Sequence, residues 1–250
     1  MVTLLQNSLN GPAGTTITPA NSAGLGSELD VVNGVSGGGT VAYDSTYLLH
    51  GQNMARLATA AGGSLAATRW TTSMGTQAGR TNMRGYYVYP ELPASGDWRI
   101  YSWDTATKNC ASIHILADGT INIRDVNADT ILASDIAITP GSAFRLEGWM
   151  LGDPAAGQCG LQLYLEHPDG PVPDWEATSS ADNDFTGAPS LYSFGIETTT
   201  DAAGPWWQGA IALSNGPAYI GSGWPQVPGG SGLPQAALLN IVLPAEENWP

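Results

Sequence analysis

Residues 111–125 read ASIHILADGTINIRD, and this stretch decides the fold. Ile113 and Ile115 alternate with Ser112, His114 and Leu116, an Asp118-Gly119 pair follows, and Ile121 and Ile123 resume the alternation. Successive side chains of a strand point to opposite faces, so the isoleucines share one face and the polar residues the other. Asp-Gly supplies the positive φ that a tight turn needs. The stretch therefore reads as a β-hairpin with one buried face. The same reading extends to FRLEGWML and CGLQLYLEH, where Phe144, Leu146, Gly148 and Met150 share a face, as do Leu161, Leu163 and Leu165. Their outer faces carry Arg145, Glu147 and Trp149 beside Gln162, Tyr164 and Glu166. Further strands are predicted at 3–8, 29–35, 54–59, 64–71, 84–89, 98–103, 191–197 and 206–213, with 32 Gly and 17 Pro punctuating the runs between them. Helical periodicity is nearly absent. The pattern predicts an all-β, two-sheet antiparallel sandwich.

Composition narrows the function. A chain of 250 residues with 42% hydrophobic content can bury about three quarters of its unfolded surface, enough for one large domain. The 22 acidic residues outnumber the 8 basic ones, Lys108 being the only lysine, and the net charge of -14 repels phosphate backbones and anionic lipid. Nucleic acid and membrane are thus not expected partners. The start, MVTLLQNSLNGPAG, has neither a basic nor a long apolar region, and no apolar run reaches the roughly 20 residues of a membrane span. Cys110 and Cys159 lack the C-x-x-C spacing of zinc or redox sites; two buried thiols are expected, with a single bridge as the other reading.

Several stretches carry candidate chemistry. SELDVVNG, Ser27 to Gly34, holds Glu28, Asp30 and Asn33 at the spacing E-x-D-x-x-N. A laminarinase-type hydrolase uses E-x-D-x-x-E on one strand, but an amide has no titrating proton and Asn33 cannot act as general acid. Catalysis is therefore not expected, and a polar-out strand is the plainer reading. In DVNAD, Asp125, Asn127 and Asp129 open like a calcium loop, but Thr130 stands where Gly is required and Ile136 where Glu is, so a solvated hairpin tip is predicted. Asp182, Asn183 and Asp184 in ADNDFTG could hold calcium at a sandwich rim, and no other cofactor is indicated. His50, His114 and His167 lie on separate segments with no recognisable triad or zinc pattern. Trp98, Tyr101 and Trp103 share one strand and Trp206 and Trp207 another; exposed rings of this kind stack on sugars, while core packing is the ordinary use of tryptophan. Alternation puts Trp206 and Trp207 on opposite faces, so at most one of the two is expected in the core.

The order of TTITPANSAG, GGTVAYDSTYLLHGQNMARLAT, TRWTTSMGTQ, YYVYPELPASGDWRIYSW, ADGTINIRD, FRLEGWM, LQLYLE, FGIET and PWWQGAIALSNGPAYIG resembles the laminin-G-like, concanavalin A-like jelly rolls encoded among the structural genes of tailed phages of actinobacteria. The resemblance runs from about Leu4 to Gly221. It implies a jelly-roll domain over 1–221, a place on the exterior of a virion as capsid decoration or minor tail protein, and recognition of host-surface polysaccharide. Where that family carries W-x-D-D-x-A, this chain reads Trp207, Gln208, Gly209 and Ala210, without the aspartates. The remaining residues, 222–250, form a Pro/Gly-rich arm that contains AALLNIVL. Left in water that run is a liability, so Leu238, Leu239, Ile241, Val242 and Leu243 are expected at an assembly interface. The expected partners are other virion subunits, or further copies of the chain in a homo-oligomer such as a trimer. A secreted carbohydrate-binding module or glucanase-type hydrolase is the alternative class.

Overall fold

The computed structural model describes residues 4–33, 39–59, 65–71, 79–105, 109–125, 127–153, 155–185, 188–197 and 203–222, and the statements below concern these. In chain order the strands are β1 (Leu4–Asn7), β2 (Val31–Asn33), β3 (Thr40–Leu49), β4 (Gln52–Thr59), β5 (Leu65–Trp70), β6 (Arg80–Val88) and β7 (Asp97–Asp104). They continue as β8 (Asn109–Leu116), β9 (Ile121–Asp125), β10 (Thr130–Ala133), β11 (Ala143–Leu151), β12 (Gln158–Tyr164), β13 (Trp175–Thr178), β14 (Leu191–Glu197) and β15 (Ala203–Ser214). One helical turn, α1 (Pro19–Ser22), is capped by Thr18, whose hydroxyl accepts from the Asn21 amide.

The strands form two sheets in which every pairing is antiparallel. An eight-stranded sheet runs β13-β12-β11-β6-β15-β4-β3, with β1 on the far half of β15, and a seven-stranded sheet runs β10-β9-β8-β7-β14-β5-β2. The decisive hairpin is β8–β9. Its turn is set by Gly119 at φ +82, whose N–H donates to the Leu116 carbonyl while the Leu116 N–H donates back to Thr120. Only glycine adopts that angle without strain. The isoleucines on both arms, Ile113, Ile115, Ile121 and Ile123, are fully buried.

The core lies between the sheets. Phe144, Leu146 and Met150 of β11 and Leu161 and Leu163 of β12 join it in the register expected from sequence. Gly148 has a specific use there: a side chain at this position would come within 3.1 Å of Ile113 and 3.4 Å of Trp103, both from the opposite sheet. The two layers therefore close directly over it. Cys110 and Cys159 are both buried, and burial pushes the Cys159 thiol up to about 12.

Candidate functional site

The five aromatics expected to offer sugar-stacking faces are instead inside the protein. Trp98, Tyr101, Trp103 and Trp206 belong to the inter-sheet core. A bulge between Arg99 and Tyr101 shifts the phase of β7, so that Trp98 and Tyr101, three positions apart, still face the same way. Tyr101 packs edge-on against Trp103 at 4.6 Å and Phe194 at 4.7 Å, and Trp206 stacks on Tyr89 at 6.3 Å. Trp207 does point to the opposite face from Trp206, but it too is covered: Tyr47 lies edge-on at 4.7 Å and the indole N–H donates to Asp44 at 2.8 Å. It belongs to a second apolar cluster with Leu49, Met54, Tyr86, Val88, Ala143 and Ala210. The expectation that at most one of the pair is buried thus fails, because this sheet packs apolar side chains on both faces.

The outer face of the eight-stranded sheet, expected to be solvated, is closed. Arg145 and Glu147 are 1% and 0% exposed at the side chain, 3.0 Å apart. Arg145 donates to the carbonyls of Pro168 and Gly170 and lies over the Tyr164 ring at 3.5 Å. Glu147 accepts from the Gly221 N–H at 2.9 Å, and Arg84 donates to the Gly221 carbonyl at 2.7 Å. Trp149 donates to the Tyr219 hydroxyl at 3.0 Å, with the Arg80 guanidinium over the indole at 4.1 Å. Asp169 takes the Tyr86 hydroxyl at 3.0 Å and sits 3.4 Å from His50. Two chain segments, 165–174 and 215–222, thus lie across the face and satisfy its charges from the protein itself. This face is built as structure.

The outer face of the seven-stranded sheet differs. Register places Arg69, Ser193, Ser102, Ser112 and Arg124 in one row across β5, β14, β7, β8 and β9. The next row runs Arg99, His114, Asn122. Serines are short, so the row is a trough with an arginine at each end. Ser102 donates to Asp104 at 2.5 Å, and Arg124 meets Asp97 at 2.8 Å. Several buried polar atoms here have no partner among the described residues: Ser193 Oγ, Asn122 Oδ1, Asn109 Oδ1, Arg69 Nε and Arg124 Nε. Ser193 and Asn122 are 6% and 3% exposed, so water does not freely solvate them. Each such atom carries a desolvation penalty that a ligand or ordered water could remove.

This face also holds a grouping that the sequence reading missed. Ser112 Oγ lies 2.8 Å from His114 Nε2, and His114 Nδ1 lies 2.9 Å from Asp97 Oδ1. A carboxylate only accepts, so Nδ1 donates to Asp97 and Nε2 accepts the serine proton. Burial holds the His114 imidazole below its ordinary value against the pull of Asp97. The order is that of a nucleophile, base and orienting acid. Catalysis also needs donors aimed at a developing oxyanion, often the largest single contribution. Ser112 sits mid-strand between β7 and β9, with ladders on both sides engaging the backbone amides around it. The signal was present in sequence: Ser112 and His114 are two apart on a strand, hence on one face.

The remaining candidates resolve simply. Glu28 and Asp30 lie outside the strands and exposed, flanking fully buried Leu29, so they do not form a carboxylate pair on a sheet. Asp125 accepts from the amides of Asn127 and Asp129, which makes DVNAD a turn between β9 and β10. Asn183 donates to Gly157, Ser179 and Ser180, and Asp182 accepts from the Ser180 hydroxyl. These contacts tie the loop that carries Asp182, Asn183 and Asp184 to the chain at Gly157 and Ser179. Among the described residues no group of three His, Cys, Asp or Glu side chains is placed to hold a metal. Leu238, Leu239, Ile241, Val242 and Leu243 lie outside the described residues.

No family model matches the chain, and no curated protein matches it in sequence. Solved structures do. A protein of unknown function, SO2946 from Shewanella oneidensis MR-1, superposes with a TM-score of 0.56 at 11% identity over 90% of both chains. The carbohydrate esterase vb_24B_21 of the Shiga toxin-encoding bacteriophage phi24B does so with 0.54 at 12% identity, over 86% of this chain and 99% of that one. Domain 4 of AbnA, a GH43 extracellular arabinanase from Geobacillus stearothermophilus solved with arabinotriose, gives 0.52 at 15% over 86% and 93%. At these identities the likeness is one of fold. The protein is an all-β two-sheet antiparallel sandwich of the concanavalin A-like lectin and glucanase type.

Proposed function

We propose that this protein is a non-enzymatic, lectin-like module of a phage virion exterior, a capsid decoration or minor tail protein that binds host-surface glycan in the serine trough. The observation that carries the binding reading is the row of hydroxyl and amide side chains between two arginines on the outer face of the seven-stranded sheet, where Ser193 Oγ and Asn122 Oδ1 are buried without a partner; other such atoms lie in the inter-sheet core and on the eight-stranded sheet. Sugar hydroxyls both donate and accept, so a surface that mixes hydroxyl, amide, carboxylate and guanidinium groups suits a polyhydroxylated ligand. Two proteins of the same fold add support, an arabinanase domain solved with arabinotriose and a phage carbohydrate esterase. The virion location rests on the order of sequence segments from TTITPANSAG to PWWQGAIALSNGPAYIG. Its partners are other virion subunits or copies of the chain, with a trimer the simplest assembly. The arabinanase domain favours a second reading, a carbohydrate-binding module of a secreted enzyme.

Purified protein is expected to sediment with cell-wall or capsular polysaccharide of actinobacterial hosts. The double variant Ser193→Ala, Asn122→Ala should bind at least tenfold more weakly. Its denaturation midpoint should stay close to wild type, because an unpartnered buried hydroxyl contributes little to folding. Unaltered binding by that variant would remove the trough from the site. Immunogold labelling of particles on capsid or tail supports the virion location; label confined to the culture supernatant supports the secreted module.

A further inference from the structure

We propose that the trough takes an acidic saccharide, whose carboxylates are held by Arg69 and Arg124 at the ends of the serine row; this rests on the glycan-binding reading of the same face. Positive charge is scarce in this chain, with 8 basic residues against 22 acidic ones. Three of the arginines, Arg69, Arg99 and Arg124, nonetheless stand on the outer face of the seven-stranded sheet. Asp104 faces Arg69 and Asp97 pairs with Arg124, and both carboxylates are shared. Asp97 serves Arg124 and His114 at once, and Asp104 takes the Ser102 hydroxyl besides facing Arg69 and Arg99.

A guanidinium has five N–H groups in a planar fork, and Nε of both Arg69 and Arg124 is buried without a partner. Burial holds the Arg69 guanidinium below its ordinary value in spite of Asp104, as expected of a cation short of counter-charge. A neutral sugar would meet the serines and Asn122 but bring no charge to the unpartnered Nε–H groups, whereas a carboxylate supplies a charged acceptor for a guanidinium. Spacing fits an oligomer. Arg69 and Arg124 are separated by four strand intervals, roughly 19 Å at about 4.8 Å each, with the three hydroxyls between them.

The test is an array of galacturonate, glucuronate and N-acetylneuraminate oligosaccharides, each beside its carboxyl-reduced form, together with neutral bacterial wall glycans. The wild-type protein is expected to bind a carboxylated member at least tenfold more tightly than its reduced counterpart. Arg69→Gln and Arg124→Gln should abolish that preference, while Arg56→Gln, on the other sheet, should keep it. Equal binding to both members of a pair, or binding to neutral glycans alone, overturns the inference and leaves the glycan reading standing. Binding to no member overturns both. A preference that survives both arginine variants overturns the assignment to these residues.

Discussion

His114 shows how a strand residue acquires chemistry that its neighbours in sequence do not announce. It is 9% exposed and hydrogen-bonded on both nitrogens, and burial outweighs Asp97 in setting its proton affinity. Its affinity for a proton is thus lower folded than unfolded. The stability this contributes is fully present above the unfolded value of about 6.5 and is lost as pH falls from there through the folded value. The urea midpoint of the wild-type protein should decline below about pH 6.5 more steeply than that of His114→Gln; parallel profiles would show that the imidazole is not held neutral. Ser112 and His114 were legible as a same-face pair from their spacing. Asp97 was not, because it reaches His114 from the neighbouring strand β7, two positions along the ladder from the opposed pair Arg99 and His114. A bulge further along β7 turns Trp98, Tyr101 and Trp103 to one side, and no local pattern reveals an inserted residue.

At the scale of elements, phase was readable and exposure was not. The alternation in β11 and β12 correctly puts Leu163 inward and Glu147 outward. Leu163→Ala should cost about 2 to 5 kcal/mol through lost transfer energy and a cavity, while Gln162→Ala loses only its acceptor for the Tyr164 hydroxyl. Equal shifts in the denaturation midpoint would contradict the register. Glu147 makes a sharper case. On a solvated face Glu147→Ala would be within about half a kcal/mol of neutral. Here it leaves Arg145 buried without its counter-ion, and a loss of about 3 to 5 kcal/mol is expected. A near-neutral result in urea denaturation would mean that the face is open. The strands left out of the sequence reading, β3, β10 and β13, are all sheet edges. An edge strand is paired on one side only, so its burial pattern is weak: β10 and β13 contain no fully buried residue. β3 is further interrupted by an irregularity between Asp44 and Leu48.

For the whole molecule, the arm over 222–250, expected from sequence to bind neighbours, is the part that truncation tests. Deletion of Leu233 to Pro250 should leave a cooperative thermal transition while lowering the oligomeric mass and the incorporation into particles. Failure to fold would assign the segment to the domain core, and unchanged mass and incorporation would remove its role. The sequence by itself determined the class of fold, the β8–β9 hairpin and the inward faces of β11 and β12. These follow from period-two alternation and turn chemistry, which act between residues adjacent in the chain. It also determined the acidic balance that disfavours nucleic acid. Only the tertiary structure decided which outward faces meet water. The face carrying Arg145 is sealed by segments roughly 20 to 75 residues away in sequence, and the face carrying Ser112 gathers its row from five separate strands. Register across a sheet and cover over it are set by long-range contacts, so no window of sequence contains them.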